Sequence, residues 1–261
     1  MKEIFFLAGL PRAGNTLLSS LLNQNPDVAV TANSITPGMV TRLLTLKSSE
    51  VFKNYPDHKS FNNIAYHIFD LYYKDWNYKY IIDRAPWGTP GGLKFLKELG
   101  KDIKIIVLVR DIIEVLASFI RWAEKTPDAF LNKTPAKTIE EKCDRLMSTE
   151  GVIAKELMGI QHLLLPQNKG LYYIVEYDDL VEQPEKTIEG IYDYLEIPKF
   201  KHRYSNLDQF EVNGMKYDDK FLGEGLHTIK TDAISKSPYD ARSIIPKSII
   251  DKYEQCNFWK G

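Results

Sequence analysis

Three arginines and a glycine-framed loop carry the residues in this chain whose types and spacing could do chemistry. The loop is Gly9-Leu10-Pro11-Arg12-Ala13-Gly14-Asn15-Thr16-Leu17. Its Gly-x-x-x-x-Gly frame allows tight backbone geometry, so several N–H groups and a new helix N-terminus can converge on one anion. A nucleotide-hydrolysing loop of this kind carries Lys after the second glycine, to reach the β- and γ-phosphates. Asn15 stands there instead, and Arg12 is the loop's only charge. That suits a phosphate and poorly suits a triphosphate. Arg84 follows the apolar run Tyr80-Ile81-Ile82, and Arg110 follows Ile103 to Val109. With Ser118, Arg110 can grip a phosphate monoester through charge-assisted hydrogen bonds, without a metal.

These groups need strands and helices to position them. Ile4 to Ala8 reads as a strand covered on both faces, and Leu17, Leu18, Leu21 and Leu22 recur at helical spacing until Asn25-Pro26. Val28–Val30 is a short second strand. A helix around Met39 to Leu46 follows, then one capped by Ser60 with Phe61, Ile64, Ile68 and Tyr72 turned to the core. Further strands are expected at 80–83, 103–109 and 171–175. Asp111 is expected to cap the helix that carries Ser118, and a capping box at Thr138 opens a long helix reaching Leu164. Pro184 begins another helix, and a last one spans roughly 244–255. Strands alternating with helices imply a parallel sheet with right-handed crossovers. The expectation is a P-loop NTPase-like, three-layer α/β/α fold with about five strands. It forms one domain over 1–261, with loop-rich substrate or lid segments near 31–60, 126–138 and 198–240.

Composition narrows the partners. Thirty-four basic against 35 acidic residues argue against a nucleic-acid polymer held by bulk charge, so any anion site must be local. Cys143 and Cys256 give neither a disulfide framework nor a metal spacing. The N-terminus runs directly into the first strand, and neither a signal peptide nor a membrane anchor is expected. A cytoplasmic location follows as the expectation.

The loop string resembles the 5′-phosphosulfate loop of sulfotransferases that use 3′-phosphoadenosine 5′-phosphosulfate (PAPS), most closely the tyrosylprotein branch and its bacterial relatives. Asp83-Arg84-Ala85-Pro86-Trp87 is similar to that branch's Asn-Lys-Asp-Pro-Phe, with Arg84 replacing a lysine that assists transfer. Val109-Arg110-Asp111 with Ser118 resembles the family's 3′-phosphate site. The strand leading to Tyr177 resembles a segment near the cofactor, and Thr231 and Lys236 resemble the C-terminal cofactor contacts. The resemblance implies that Pro11, Arg12, Ala13, Gly14, Asn15, Thr16 and Leu17 cradle PAPS, releasing adenosine 3′,5′-bisphosphate (PAP). It implies no metal, and an acceptor that is a small molecule, glycan or peptide, bound by a monomer or homodimer. Asn33 occupies the position of the family's glutamate base, and an amide cannot take a proton. His227, in Gly223-Glu224-Gly225-Leu226-His227-Thr228, is the preferred substitute, with Asp83 and Glu224 as alternatives. The competing readings are a kinase with a degenerate phosphate loop, using Asp111 for magnesium, and an impaired nucleotide-binding protein of the same fold.

Overall fold

The computed structural model describes residues 2–100 and 102–260. Five parallel strands form one sheet in the order β2-β3-β1-β4-β5. They are β1 (Glu3–Gly9), β2 (Val28–Val30), β3 (Tyr80–Arg84), β4 (Ile105–Val109) and β5 (Tyr172–Glu176). β1 lies in the middle because it is apolar after its first residue, Glu3, and from Phe5 onward it is buried. β4, Ile-Ile-Val-Leu-Val, is buried at every position, as helices on both faces require.

The register decides where the functional groups meet. Leu7 pairs with Arg84 of β3, and Gly9 with Leu108 of β4. The glycine loop after β1, Arg84 at the tip of β3 and Arg110 just past β4 therefore lie side by side. The chain runs from β1 to β2 and back to β3 on one side of β1, then crosses to β4 on the other, so the carboxyl ends of β1 and β4 flank the topological switch where open α/β sheets bind ligands.

Most elements fall where the periodicity predicts, with three instructive differences. Asp57, not Ser60, caps the helix His58–Tyr66, its carboxylate accepting the Ser60 N–H at 3.0 Å. That helix ends before Ile68–Tyr72, so Ile64 is 50% exposed and only Ile68 and Phe69 of the second piece are buried. The long helix expected from Thr138 is two helices, Ile139–Met147 and Val152–Leu163. Thr138 and Glu141 do form the capping box. The chain breaks at Gly151, which sits so close to the Leu146 carbonyl that a Cβ there would lie 2.1 Å from its oxygen. The final helix is shorter than expected, Lys247–Tyr253, and continues as a 3-10 turn. Among the described residues no helix is long and apolar enough to cross a membrane.

Candidate functional site

The phosphate loop is shaped by two left-handed residues. Arg12 has φ 61° and Gly14 φ 92°. Gly14 is required twice over: its φ disfavours a side chain, and a Cβ would meet the Tyr177 ring at 2.9 Å. It precedes the helix Asn15–Leu22, whose first N–H groups open toward the loop. Asn15 is buried and turns back, its amide donating to the Leu10 carbonyl at 2.7 Å. It therefore braces the loop where a phosphate-hydrolysing enzyme would extend a lysine.

The loop and the Arg110 cluster are physically joined. Arg12 Nε donates to Ser118 Oγ at 3.1 Å, and Arg110 Nη1 donates to the Arg12 carbonyl at 3.1 Å. Arg110 also pairs with Glu114 (2.8 Å), donates to Ser237 Oγ (3.2 Å) and lies 4.0 Å over the Tyr177 ring. Glu114 thus serves Arg110 rather than completing a capping box, while Asp111 alone caps the helix Ile112–Lys125 by accepting Ile113 N–H. The other Asp111 oxygen accepts from Asn257 at 2.9 Å and Lys260 at 3.4 Å, which commits that carboxylate to the C-terminal segment.

One cleft of about 500 Å³ unites these groups. Pro11, Arg12, Gly14, Asn15, Thr16 and Leu17 form one wall, and Arg84, Arg110, Ser118, Tyr177 and His227 also face it. Six cationic side chains line it (Arg12, Arg84, Arg110, Arg121, Lys125 and Lys230) and, among the described residues, no carboxylate does. The whole chain carries a net charge of −1, so this is a strong local concentration of positive field. Burial, with Arg110 nearby, pushes the Arg12 guanidinium below its ordinary value. A bound anion would relieve both effects. Ala13 is fully buried beneath the loop. Thr231 and Lys236 are not among the cleft residues: the Thr231 carbonyl accepts the Leu207 N–H, and Lys236 pairs with Asp178 (3.0 Å) and Glu182 (2.5 Å).

The cleft is also lined by His227, which is paired with a carboxylate. His227 Nδ1 donates to Asp219 Oδ1 at 2.5 Å, and the His227 N–H donates to Asp219 Oδ2 at 3.0 Å. The Nδ1 bond leaves Nε2 as the ring's acceptor nitrogen. The imidazole stacks flat on Tyr217, with centroids 3.8 Å apart and planes 5° from parallel. Burial pulls His227 below its ordinary value, with Asp219 opposing and Arg84 and Arg12 assisting, which favours the neutral ring. Tyr217 in turn accepts from Arg84 Nη1 at 3.1 Å and reaches Thr16. Arg84 Nη1 also donates to the Ala32 carbonyl at 3.0 Å and to Asn33 Oδ1. Asn33 is therefore an anchor for Arg84.

The two alternative bases lie elsewhere. Asp83 is fully buried and accepts from Ser34 (2.7 Å), Thr36 (2.8 Å), Tyr73 (2.5 Å) and Trp87 (2.8 Å). Three donors converge on Oδ2 and Trp87 holds Oδ1, so the carboxylate is a structural knot between β3 and the helix Thr36–Leu46. Glu224 is exposed and does not line the cleft; its carbonyl accepts the Trp122 indole N–H at 3.0 Å. Sequence reasoning missed Asp219, Tyr217 and Ser237. The one local signal is Asp219 lying eight residues before His227 across the turn that Gly223 and Gly225 permit.

The model for the Sulfotransferase family matches residues 5–202, and the chain belongs to that family. No curated protein matches it. Its fold resembles the sulfotransferase domain of the Synechococcus PCC 7002 olefin synthase, at 20% identity and a TM-score of 0.59 over 100% of this chain and 95% of that one. It also resembles mouse sulfotransferase SULT7A1 complexed with PAP, at 12% identity and 0.56 over 98% and 82%. A third is retinol dehydratase in complex with androsterone and the inactive cofactor PAP, at 13% identity and 0.50 over 98% and 79%.

Proposed function

We propose that this sulfotransferase binds PAPS in the cationic cleft and transfers its sulfuryl group in line to an acceptor hydroxyl. The observation that carries the reading is the direct linkage of Arg12 to Ser118 and of Arg110 to the Arg12 carbonyl within one cleft lined by six cationic side chains. A nucleotide with phosphates at both ends needs two such grips at the ends of adjacent strands. PAP in two structures of similar fold supports the same assignment.

PAPS, when bound, supplies the sulfuryl group and departs as PAP. The chain's part is positioning and charge, as in phosphoryl transfer. The loop N–H groups, Thr16 and Arg12 hold the 5′-phosphate, where charge builds as the leaving group separates. Arg110, Ser118 and Ser237 hold the 3′-phosphate, and Tyr177 braces Arg110 from beneath. Arg84, fixed by Ala32, Asn33 and Tyr217, presents its charge to the sulfonate oxygens. His227 Nε2 takes the acceptor proton, and Asp219 holds the tautomer and stabilises the imidazolium.

Thermal shift with PAP against ATP–magnesium tests the cofactor assignment. PAP should raise the melting temperature and ATP–magnesium should not; the reverse result would favour the kinase. Transfer of labelled sulfate from PAPS to a panel of hydroxyl acceptors then tests the reaction itself.

A further inference from the structure

The residues from Phe210 to Tyr217 fold into a tight turn that feeds one side chain beneath the site. Asn213-Gly214 suits a two-residue turn with both φ angles positive, and here they are 50° and 73°. Val212 and Met215 close the turn with reciprocal backbone bonds of 3.0 and 2.9 Å, and the Asn213 N–H donates to the Tyr78 hydroxyl at 3.3 Å. The chain comes back so that the Tyr217 ring rests against buried Phe210, with centroids 4.9 Å apart.

Tyr217 touches two groups of the site at once. Its hydroxyl accepts from Arg84 Nη1 at 3.1 Å, and its ring lies flat on His227 at 3.8 Å. Arg84 and His227 line the cleft and Tyr217 does not, so it stands behind both of them rather than against a ligand. The Arg84 hydrogen bonds to described residues all leave from Nη1, to Ala32, Asn33 and Tyr217, which frees Nε and Nη2 for an anion. Ala32 and Asn33 follow β2 and tie the arginine to the sheet. Tyr217 ties it to the histidine. Phenylalanine would supply the stack alone; tyrosine adds a hydroxyl at the far end of the same rigid ring.

In the transfer step the acceptor oxygen bonds to sulfur as the bond from sulfur to the 5′-phosphate oxygen breaks. The electron pair of that bond leaves with the phosphate, and the acceptor proton passes to His227 Nε2. The arginine at the sulfonate and the base at the acceptor oxygen must therefore keep one fixed separation. We infer that Tyr217 is a positioning residue for this step, its hydroxyl and ring joining Arg84 to His227 so that sulfur and acceptor oxygen meet in line. The inference rests on the sulfotransferase reading above and adds to it a residue that touches neither cofactor nor acceptor.

Tyr217→Phe keeps the ring and removes the hydroxyl, and Tyr217→Leu removes both. Calorimetric titration of PAP, single-turnover release of labelled sulfate from PAPS with phenol or with water alone as acceptor, and nitrogen-15 NMR titration of His227 distinguish them. Tyr217→Phe should bind PAP within about threefold of native and release sulfate about tenfold to a hundredfold more slowly, as loss of a hydrogen bond from a charged group implies. Its KM for phenol and its His227 titration should stay native. Tyr217→Leu should be slower still, and its His227 should titrate at higher pH, because water reaches the uncovered ring face while Asp219, Arg84 and Arg12 remain around it. A merely structural tyrosine would lower Tm and leave the rate per PAP-binding molecule unchanged. A native rate in Tyr217→Phe, a loss of PAP affinity matching its loss of rate, failure of that variant to fold, or an unmoved His227 titration in Tyr217→Leu would overturn this inference alone. Failure of the native chain to bind PAP, or to release sulfate from PAPS with either acceptor, would overturn the functional reading with it.

Discussion

Asp219→Asn isolates the proton-transfer step from nucleotide binding. Asp219 receives two hydrogen bonds from His227, one from Nδ1 at 2.5 Å and one from the backbone N–H at 3.0 Å. Asparagine keeps one acceptor oxygen, which the backbone N–H occupies, and presents its NH2 group to Nδ1. The ring then must accept at Nδ1 and carry its proton on Nε2, where it cannot take one from the acceptor. Loss of a positioned base costs about 10²- to 10⁴-fold, so kcat should fall by that factor. The lost charge-assisted hydrogen bond should cost about 1–3 kcal/mol of stability, because both side chains are mostly buried. PAP affinity should stay within about threefold, since Asp219 touches none of the phosphate-binding groups. Single-turnover transfer of labelled sulfate, with calorimetric titration of PAP, separates the two quantities. A native kcat in the variant, with PAP binding intact, would refute the role given to His227 and Asp219.

Three further outcomes follow from the same geometry. Gly14→Ala places a Cβ at φ 92° and 2.9 Å from the Tyr177 ring; left-handed strain and overpacking should together cost about 2–4 kcal/mol, read as a lowered Tm with weaker PAP binding. Arg110→Lys removes the planar fork that reaches Arg12, Glu114 and Ser237; PAP affinity should fall about tenfold or more while ATP binding stays negligible, which titration decides. His227 titrates below its ordinary value because of burial, so kcat/KM should rise with pH through the region below about 6.5 and then level off. The folded chain also binds fewer protons there than the unfolded one, so the stability contributed by His227 is complete above that region and is lost as the pH falls through it. His227→Gln should lack the acid limb of the activity profile.

Local strings made much of this site legible. Arg12, Arg84 and Arg110 each follow a short apolar run, and the hydrophobic pattern alone makes such runs buried strands whose carboxyl ends share one edge. Ser118 was readable because two helical turns from Asp111 carry it back over that edge. Thr231 and Lys236 resemble cofactor contacts in sequence, but the fold turns their segment so that Ser237 reaches Arg110 while Lys236 faces Asp178 and Glu182. Asp83 and Arg84 look equally available in sequence. In the sheet, side chains alternate faces, and Asp83 enters the layer of Ser34, Thr36, Tyr73 and Trp87 while Arg84 reaches the cleft.

The amino-acid sequence by itself determined the alternating strands and helices, the glycine loop and the three arginines at strand tips, because backbone geometry and apolar periodicity are properties of neighbouring residues. Only the tertiary structure decided which groups those arginines meet. Arg12 donates to the Leu226 carbonyl, 214 residues away, and Arg84 to Tyr217, 133 residues away. The segment that returns there has no periodic pattern to announce its path. Its position is set by packing and hydrogen bonds between distant parts of the chain, such as Trp122 to Glu224 and Phe130 to Leu222, which no local string encodes.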